Sequence, residues 1–240
     1  MPLLVVDRVT KDFGGLRAND QISFQVEKGE LVGLIGPNGA GKTTLFHCIA
    51  GHHRVTSGRI FFDGEEITHL DAHCIARKGL ARTFQVYAAT GDLTVLEYVM
   101  VGAFMRTRSR KEAELKARKV LEELGLEDWS GKMVAEIPVP AQKLVTMAVA
   151  VATDPKMLLL DEVAAGLTPK EVDEVKEKIR HIHWDMGITV MLIEHVMALV
   201  MGISQRVIVL DAGRKISEGS PEEVARDPNV IKAYLGEKYG

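Results

Sequence analysis

Two short stretches carry residues whose types and spacing could do chemistry. The first is Gly36-Pro37-Asn38-Gly39-Ala40-Gly41-Lys42-Thr43, followed by Thr44, a complete G-x-x-x-x-G-K-[ST] pattern. Glycines at those places let the backbone curl until successive N–H groups point inward at a phosphate, and a helix starting near Gly41 adds its positive dipole end. Lys42 can then reach the outer phosphates, and the Thr43 hydroxyl can ligate Mg²⁺. The second is "MLLLDE", where Asp161 and Glu162 follow an apolar run. A carboxylate at a buried strand end beside such a loop can hold Mg²⁺ through its water shell, and the next carboxylate can orient or deprotonate an attacking water. Together they point to ATP·Mg²⁺ with water as the acceptor.

The elements that must position these residues are also legible. "LVGLI" (31–35) enters the Gly-rich turn, "KTTLFHCIAG" reads as a helix ended by Gly51, and "KMLLLDE" and "ITVMLIEH" are further apolar runs that stop on charges. Continuous rather than alternating apolar character predicts strands buried on both faces, hence a mostly parallel sheet with flanking helices. "ISFQVEKGE", "RIFFDGEE" and "VIVLDAGRKISEG" predict antiparallel ribbons turning at Lys28-Gly29, Asp63-Gly64 and Ala212-Gly213. Residues 94 to about 125 show only helical patterning. The expectation is one α/β phosphate-binding-loop domain: a core of residues 1–93 and 154–240 that includes an antiparallel β subdomain, and an inserted α-helical subdomain at 94–153.

Composition narrows the class. The chain has 240 residues, 46% of them hydrophobic, enough for one sizeable core. A net charge of −3 gives no general reason to bind nucleic acid. The basic run "RTRSRKEAELKARK" interleaves Glu112 and Glu114 at helical spacing, which suits a solvated helix face. Cys48 and Cys74 match neither a disulfide framework nor a zinc pattern, which fits a reducing cytosol. The N-terminus does not read as a signal peptide, and no apolar segment reaches the roughly 18 residues of a membrane span, so a membrane role needs a partner.

The order of phosphate loop, "FQ" at 84–85, helical block, "LLLDE", "AAGLTP" and "IEH" resembles an ABC-transporter ATPase subunit over nearly the whole chain. "FGGLRAND", "ARTFQ", "LTVLEYVMVG", "DEVAAGLTPKEV" and "DPNVIKAYLGE" make it most similar to the ATP-binding subunits of branched-chain amino-acid importers. The resemblance implies integral membrane permease subunits, a second ATPase subunit (identical or different) and, indirectly, a solute-binding protein. It also implies a cytoplasmic chain, peripheral on the inner face of the membrane. Gln85 is then a loop glutamine in the Mg²⁺ and water network, and His195 a switch histidine contacting the γ-phosphate. Phe13 is then an adenine-stacking ring, although a core Phe reads equally from type alone. Thr168 stands where the coupling loop "AGLT" usually carries Asp.

One stretch departs from the pattern. A Leu-Ser-Gly-Gly-Gln turn belongs where Ile137, Pro138, Val139, Pro140 and Ala141 stand. Pro138 has no hydroxyl, neither proline has an N–H, and Val139 is β-branched, so the turn is degenerate as a contact for a partner's γ-phosphate. A one-residue slip places Gln142 in the glutamine slot but restores neither serine nor glycine. Val163 and Val149 replace a usual proline and arginine. What remains is a helix start. The expectation is an importer motor with low self-activated turnover. A soluble ABC ATPase of another assembly and a small-molecule kinase are the competing readings.

Overall fold

The computed structural model describes residues 1–83 and 92–235, and the chain divides into two compact units, Met1–Ala76 with Thr189–Gly240, and Arg77–Ile188. The chain opens with β1 (Pro2–Phe13), β2 (Leu16–Glu27), β3 (Leu31–Ile35), α1 (Lys42–Ile49), β4 (Ser57–Phe62), β5 (Glu65–Glu66) and α2 (Ala72–Lys78). The second unit carries β6 (Leu80–Arg82), α3 (Val95–Ala103), α4 (Arg110–Leu124), α5 (Val139–Ala152), β7 (Met157–Asp161) and α6 (Pro169–Arg180). The first unit resumes with β8 (Thr189–Ile193), α7 (Met197–Ile203), β9 (Arg206–Asp211), β10 (Arg214–Gly219), α8 (Pro221–Arg226) and α9 (Pro228–Leu235).

In the first unit β3 lies parallel to both β8 and β9, in the strand order β10-β9-β3-β8. Every residue of β3 and β8 is buried, which is what an unbroken apolar run demands of a strand covered on both faces. A second sheet is antiparallel, in the order β2-β1-β4-β5. The turns at Asp63-Gly64 and Ala212-Gly213 hold both central residues at positive φ, the backbone of a two-residue hairpin that follows strand twist. Lys28-Gly29 is different from the expected ribbon turn. β2 pairs with β1 across the Gly14-Gly15 turn, and Lys28-Gly29 carries the chain from one sheet to β3 of the other. The Gly29 N–H is tied to Thr189 Oγ1 at 2.9 Å, so the corner is fixed to β8 rather than to a hairpin partner.

In the second unit β6 and β7 run parallel, and α3, α4 and α5 pack on one another. The expected helical subdomain, 94–153, falls inside this unit along with β6, β7 and α6. α4 shows why its sequence is charged yet ordered. Ala113, Ala117, Val120, Leu121 and Leu124 form its buried stripe, and Arg118 pairs with Glu114 one turn away at 2.8 Å on the solvated face. Helix starts are set locally. Thr94 with Glu97, Thr168 with Glu171 and Ser220 with Glu223 are reciprocal capping boxes. No helix among the described residues is long and apolar enough to cross a membrane.

Candidate nucleotide site

The phosphate loop leaves the end of β3 and enters α1. Gly36, Gly39 and Gly41 have φ of 151°, 80° and 92°. Gly36 is obligatory on space as well as torsion, since a Cβ there would lie 2.0 Å from the Leu210 carbonyl oxygen. Gly41 is the N-cap of α1, and its carbonyl accepts a hydrogen bond from buried Asn19 Nδ2 at 3.0 Å. Pro37, Asn38 and Ala40 complete the curl, with Ala40 buried, and Thr43 and Thr44 lie in the first turn of α1.

Lys42 is 5% exposed, and its ammonium donates to the carbonyls of Gly36 at 2.8 Å and Pro37 at 3.0 Å. The charge is thus held inside the cradle by neutral acceptors that phosphate oxygens can replace with stronger, charged ones. The α1 N-terminus directs its backbone donors to the same place. His195 follows β8 as Gly36 follows β3. Leu34 pairs with Ile193, so both residues emerge two positions later at the carboxyl ends of neighbouring parallel strands, where α/β sheets bind ligands. Phe13 ends β1 in the same unit and is 42% exposed.

In the second unit Asp161 closes β7 with 4% exposure, and Glu162 follows in the left-handed region at φ 51°. A non-glycine residue at that φ is uncommon, and such positions cluster at functional sites. Asp161 receives two supports from the β6 end. Arg82 donates to its carboxylate at 2.6 Å, with both side chains buried, and Thr83 Oγ1 accepts its backbone N–H at 3.2 Å. Neither role had been assigned from the sequence, where "ARTFQ" drew notice for its glutamine. Gln85 lies outside the described residues. The Thr43 hydroxyl in the first unit and the Asp161 carboxylate in the second are each hard oxygen donors of the type that Mg²⁺ prefers.

The degenerate turn forms a helix start. Pro138 is the N-cap of α5 and Pro140 lies in its first turn, where the missing N–H is no loss. Ile137 is 3% exposed and plugs the core, Val139 is 55% exposed, and Ala141 is buried. Gln142 turns back, its Nε2 donating to the Ile137 carbonyl at 2.9 Å. Both prolines line an open groove of about 630 Å³ with Trp129, Leu144, Glu174 and Lys178. Lys143 donates to the Ala165 carbonyl, joining α5 to the "AGLT" segment. Thr168 caps α6, and the hydrogen bonds it gives Glu171 hold that carboxyl below its usual range.

Comparison with known proteins places this geometry. Residues 19–165 match the ABC transporter family, and residues 214–240 match the branched-chain amino acid ATP-binding cassette transporter family. The chain is 41% identical to the high-affinity branched-chain amino acid transport ATP-binding protein BraF of Pseudomonas aeruginosa, over 98% of each chain. It is 38% identical to LivG of Escherichia coli strain K12, again over 98% of each. Among solved structures, a nucleotide-free ATP-binding cassette from an ABC transporter superposes with a TM-score of 0.90 at 30% identity, covering 99% of this chain and 100% of that one. The ADP conformation of MJ1267, an ATP-binding cassette of an ABC transporter, gives 0.90 at 31% identity over 99% and 100%. The chain belongs to the ABC transporter ATPases, in the branched-chain amino-acid importer group, and is an ATP hydrolase.

Proposed function

We propose that this chain is the ATP-hydrolysing motor of an importer for branched-chain amino acids or related small solutes. It works on the inner face of the membrane against permease subunits, paired with a second ATPase subunit and served indirectly by a solute-binding protein. The observation that carries this reading is the 41% identity to BraF over 98% of both chains.

Within that reading, residues 36–44 bind the phosphates through their backbone donors, and Lys42 exchanges its two carbonyl partners for phosphate oxygens. Phe13 stacks on the adenine. Thr43, Gln85 and Asp161 would hold Mg²⁺, which would supply charge neutralisation on the transferred phosphoryl group. Glu162 accepts the proton of the attacking water and His195 meets the γ-phosphate. The turn at 137–141 supplies fewer donors to a facing subunit's nucleotide than a serine-glycine turn, because Pro140 has no N–H and no hydroxyl stands there. Turnover of the chain alone is therefore low.

The test is uptake by the assembled importer, reconstituted in vesicles with its permease and binding protein. Glu162→Gln keeps the side-chain shape and loses the base, so ATP should still bind while hydrolysis and uptake fall by roughly 10²-fold or more. Branched-chain amino-acid uptake at the wild-type rate by that variant, or no such uptake by the intact assembly, would overturn the proposal.

A further inference from the structure

The antiparallel sheet and α1 meet around a cluster of rings that the phosphate chemistry does not use. α1 ends at Ile49 with Ala50 as its C-cap, and beyond Gly51 two N–H groups fold back onto its last turn. Those of His52 and His53 both donate to the His47 carbonyl, at 2.8 and 3.1 Å. That return brings side chains together as well. His47 Nδ1 and His53 Nε2 are 3.1 Å apart, one donating and the other accepting, with ring centroids at 4.8 Å. The His53 ring then meets the Phe13 ring edge-on, centroids 5.3 Å apart and planes at 81°, the geometry that opposed ring quadrupoles favour.

The loop bearing His53 is also pinned to the strand bearing Phe13. The Thr56 N–H donates to the Thr10 carbonyl at 2.8 Å, and Thr56 Oγ1 accepts the Asp12 N–H at 2.9 Å. The Lys11 ammonium sits 4.5 Å from the Phe13 ring centre, a favourable cation–ring contact that further restricts the ring. Phe13 lies at the tip of the β1–β2 hairpin, where an exposed ring on its own would sample several rotamers. Two ring contacts hold it instead, and one runs through His53 and His47 into the helix that begins at Lys42.

We propose that His53, braced by His47, is a positioning residue for the base-stacking ring. It fixes Phe13 relative to α1, so the base contact is preorganised against the phosphate contact at the other end of the same helix. This rests on Phe13 being the base contact. The consequence is selective: loss of the histidine weakens binding of ligands that carry a base and spares those that do not.

The experiment is calorimetric titration of the full chain with Mg²⁺·ATP and, separately, with Mg²⁺·tripolyphosphate, which has phosphates and no base. His53→Ala should weaken ATP about three- to tenfold, the scale of one aromatic pair, and leave tripolyphosphate affinity unchanged. His53→Phe keeps an edge contact and loses the hydrogen bond, so it should recover part of the loss. His53→Gln keeps a hydrogen bond and loses the ring, and it reads the same contrast should the alanine variant fold poorly. Phe13→Ala separates the two levels of the argument. If it leaves ATP affinity unchanged, the base reading itself falls. If Phe13→Ala weakens ATP and neither His53→Ala nor His53→Gln does, the positioning role alone is overturned. An equal loss for ATP and tripolyphosphate in the His53 variants would also overturn it.

Discussion

At the scale of single residues, the phosphate loop and the carboxylate pair were legible because their chemistry is local. Gly36, Gly41, Lys42 and Thr43 lie along one loop and the helix start it leads into, and Asp161 and Glu162 stand at the end of an apolar strand. Arg82 was not legible. Its partner is 79 residues away, and β6 is only the three residues Leu80–Arg82, too short to show any period. The structure gives that arginine a measurable consequence. Its side chain is 8% exposed and that of Asp161 is 1% exposed, so removing the guanidinium takes a charge-assisted hydrogen bond away from a buried carboxylate. Arg82→Met should cost about 3–5 kcal/mol in urea denaturation, and Arg82→Lys less, because a charge is kept while the planar fork is lost. An unchanged denaturation midpoint for Arg82→Met would mean that the pair contributes nothing. Lys42 behaves differently. Its ammonium donates to the Gly36 and Pro37 carbonyls inside the loop, and Lys42→Ala should abolish nucleotide binding or turnover, as calorimetric titration would read, with circular dichroism as the check on folding.

At the scale of elements, burial decided what the sequence could reveal. β3, β7 and β8 announced themselves through unbroken apolar runs, and each is buried throughout. The corner at Lys28-Gly29 misled, because a turn signal says that the chain bends and not which strand it bends toward. The end of α6 was equally silent. That helix continues into a π turn at His181–Asp185, where His181 lies 2.7 Å from Asp185 and 2.8 Å from Glu123 on α4. Burial lowers the affinity of His181 for a proton, but its hydrogen bonds to the Asp185 and Glu123 carboxylates, with their charges, outweigh it, and the pKa is raised. The sign follows from linkage. With the folded value above the unfolded one, the stabilisation is complete below the unfolded value of about 6.5 and is lost as pH rises through the folded value. Unfolding free energy should therefore fall by an amount on the scale of a partly exposed ion pair, up to about 1 kcal/mol, as pH rises from below the unfolded value of about 6.5. His181→Gln should flatten that slope. A variant with the same slope as the wild type would place the pH dependence elsewhere.

At the scale of the whole molecule, the proposed function makes the turn at 137–141 the element that limits what this chain can do alone. In the family it resembles, each ATP is held between one subunit's phosphate loop and the other's signature turn. Here Ile137 is committed to the core, Pro138 caps α5, Pro140 has no N–H, and Gln142 is turned onto the Ile137 carbonyl. Losing a hydroxyl and a backbone donor to a charged phosphate costs about 1.5–3 kcal/mol per contact, or roughly tenfold to a hundredfold each. The isolated chain should therefore bind ATP, hydrolyse it slowly and dimerise weakly. Mixed with an ATPase subunit that carries an intact serine-glycine turn, it should hydrolyse faster, with its own phosphate loop and Glu162 working opposite the partner's turn. In that mixture Glu162→Gln in this chain should remove most of the gain. Replacing residues 137–141 with Leu-Ser-Gly-Gly-Gln tests the cause directly in the isolated chain. The substitution restores the hydroxyl and the flexible donors, at the expense of a proline-favoured helix start. A rise in steady-state ATPase rate, with ATP affinity and the thermal midpoint retained, is the expected result. No rise under those conditions would show that the prolines do not limit turnover.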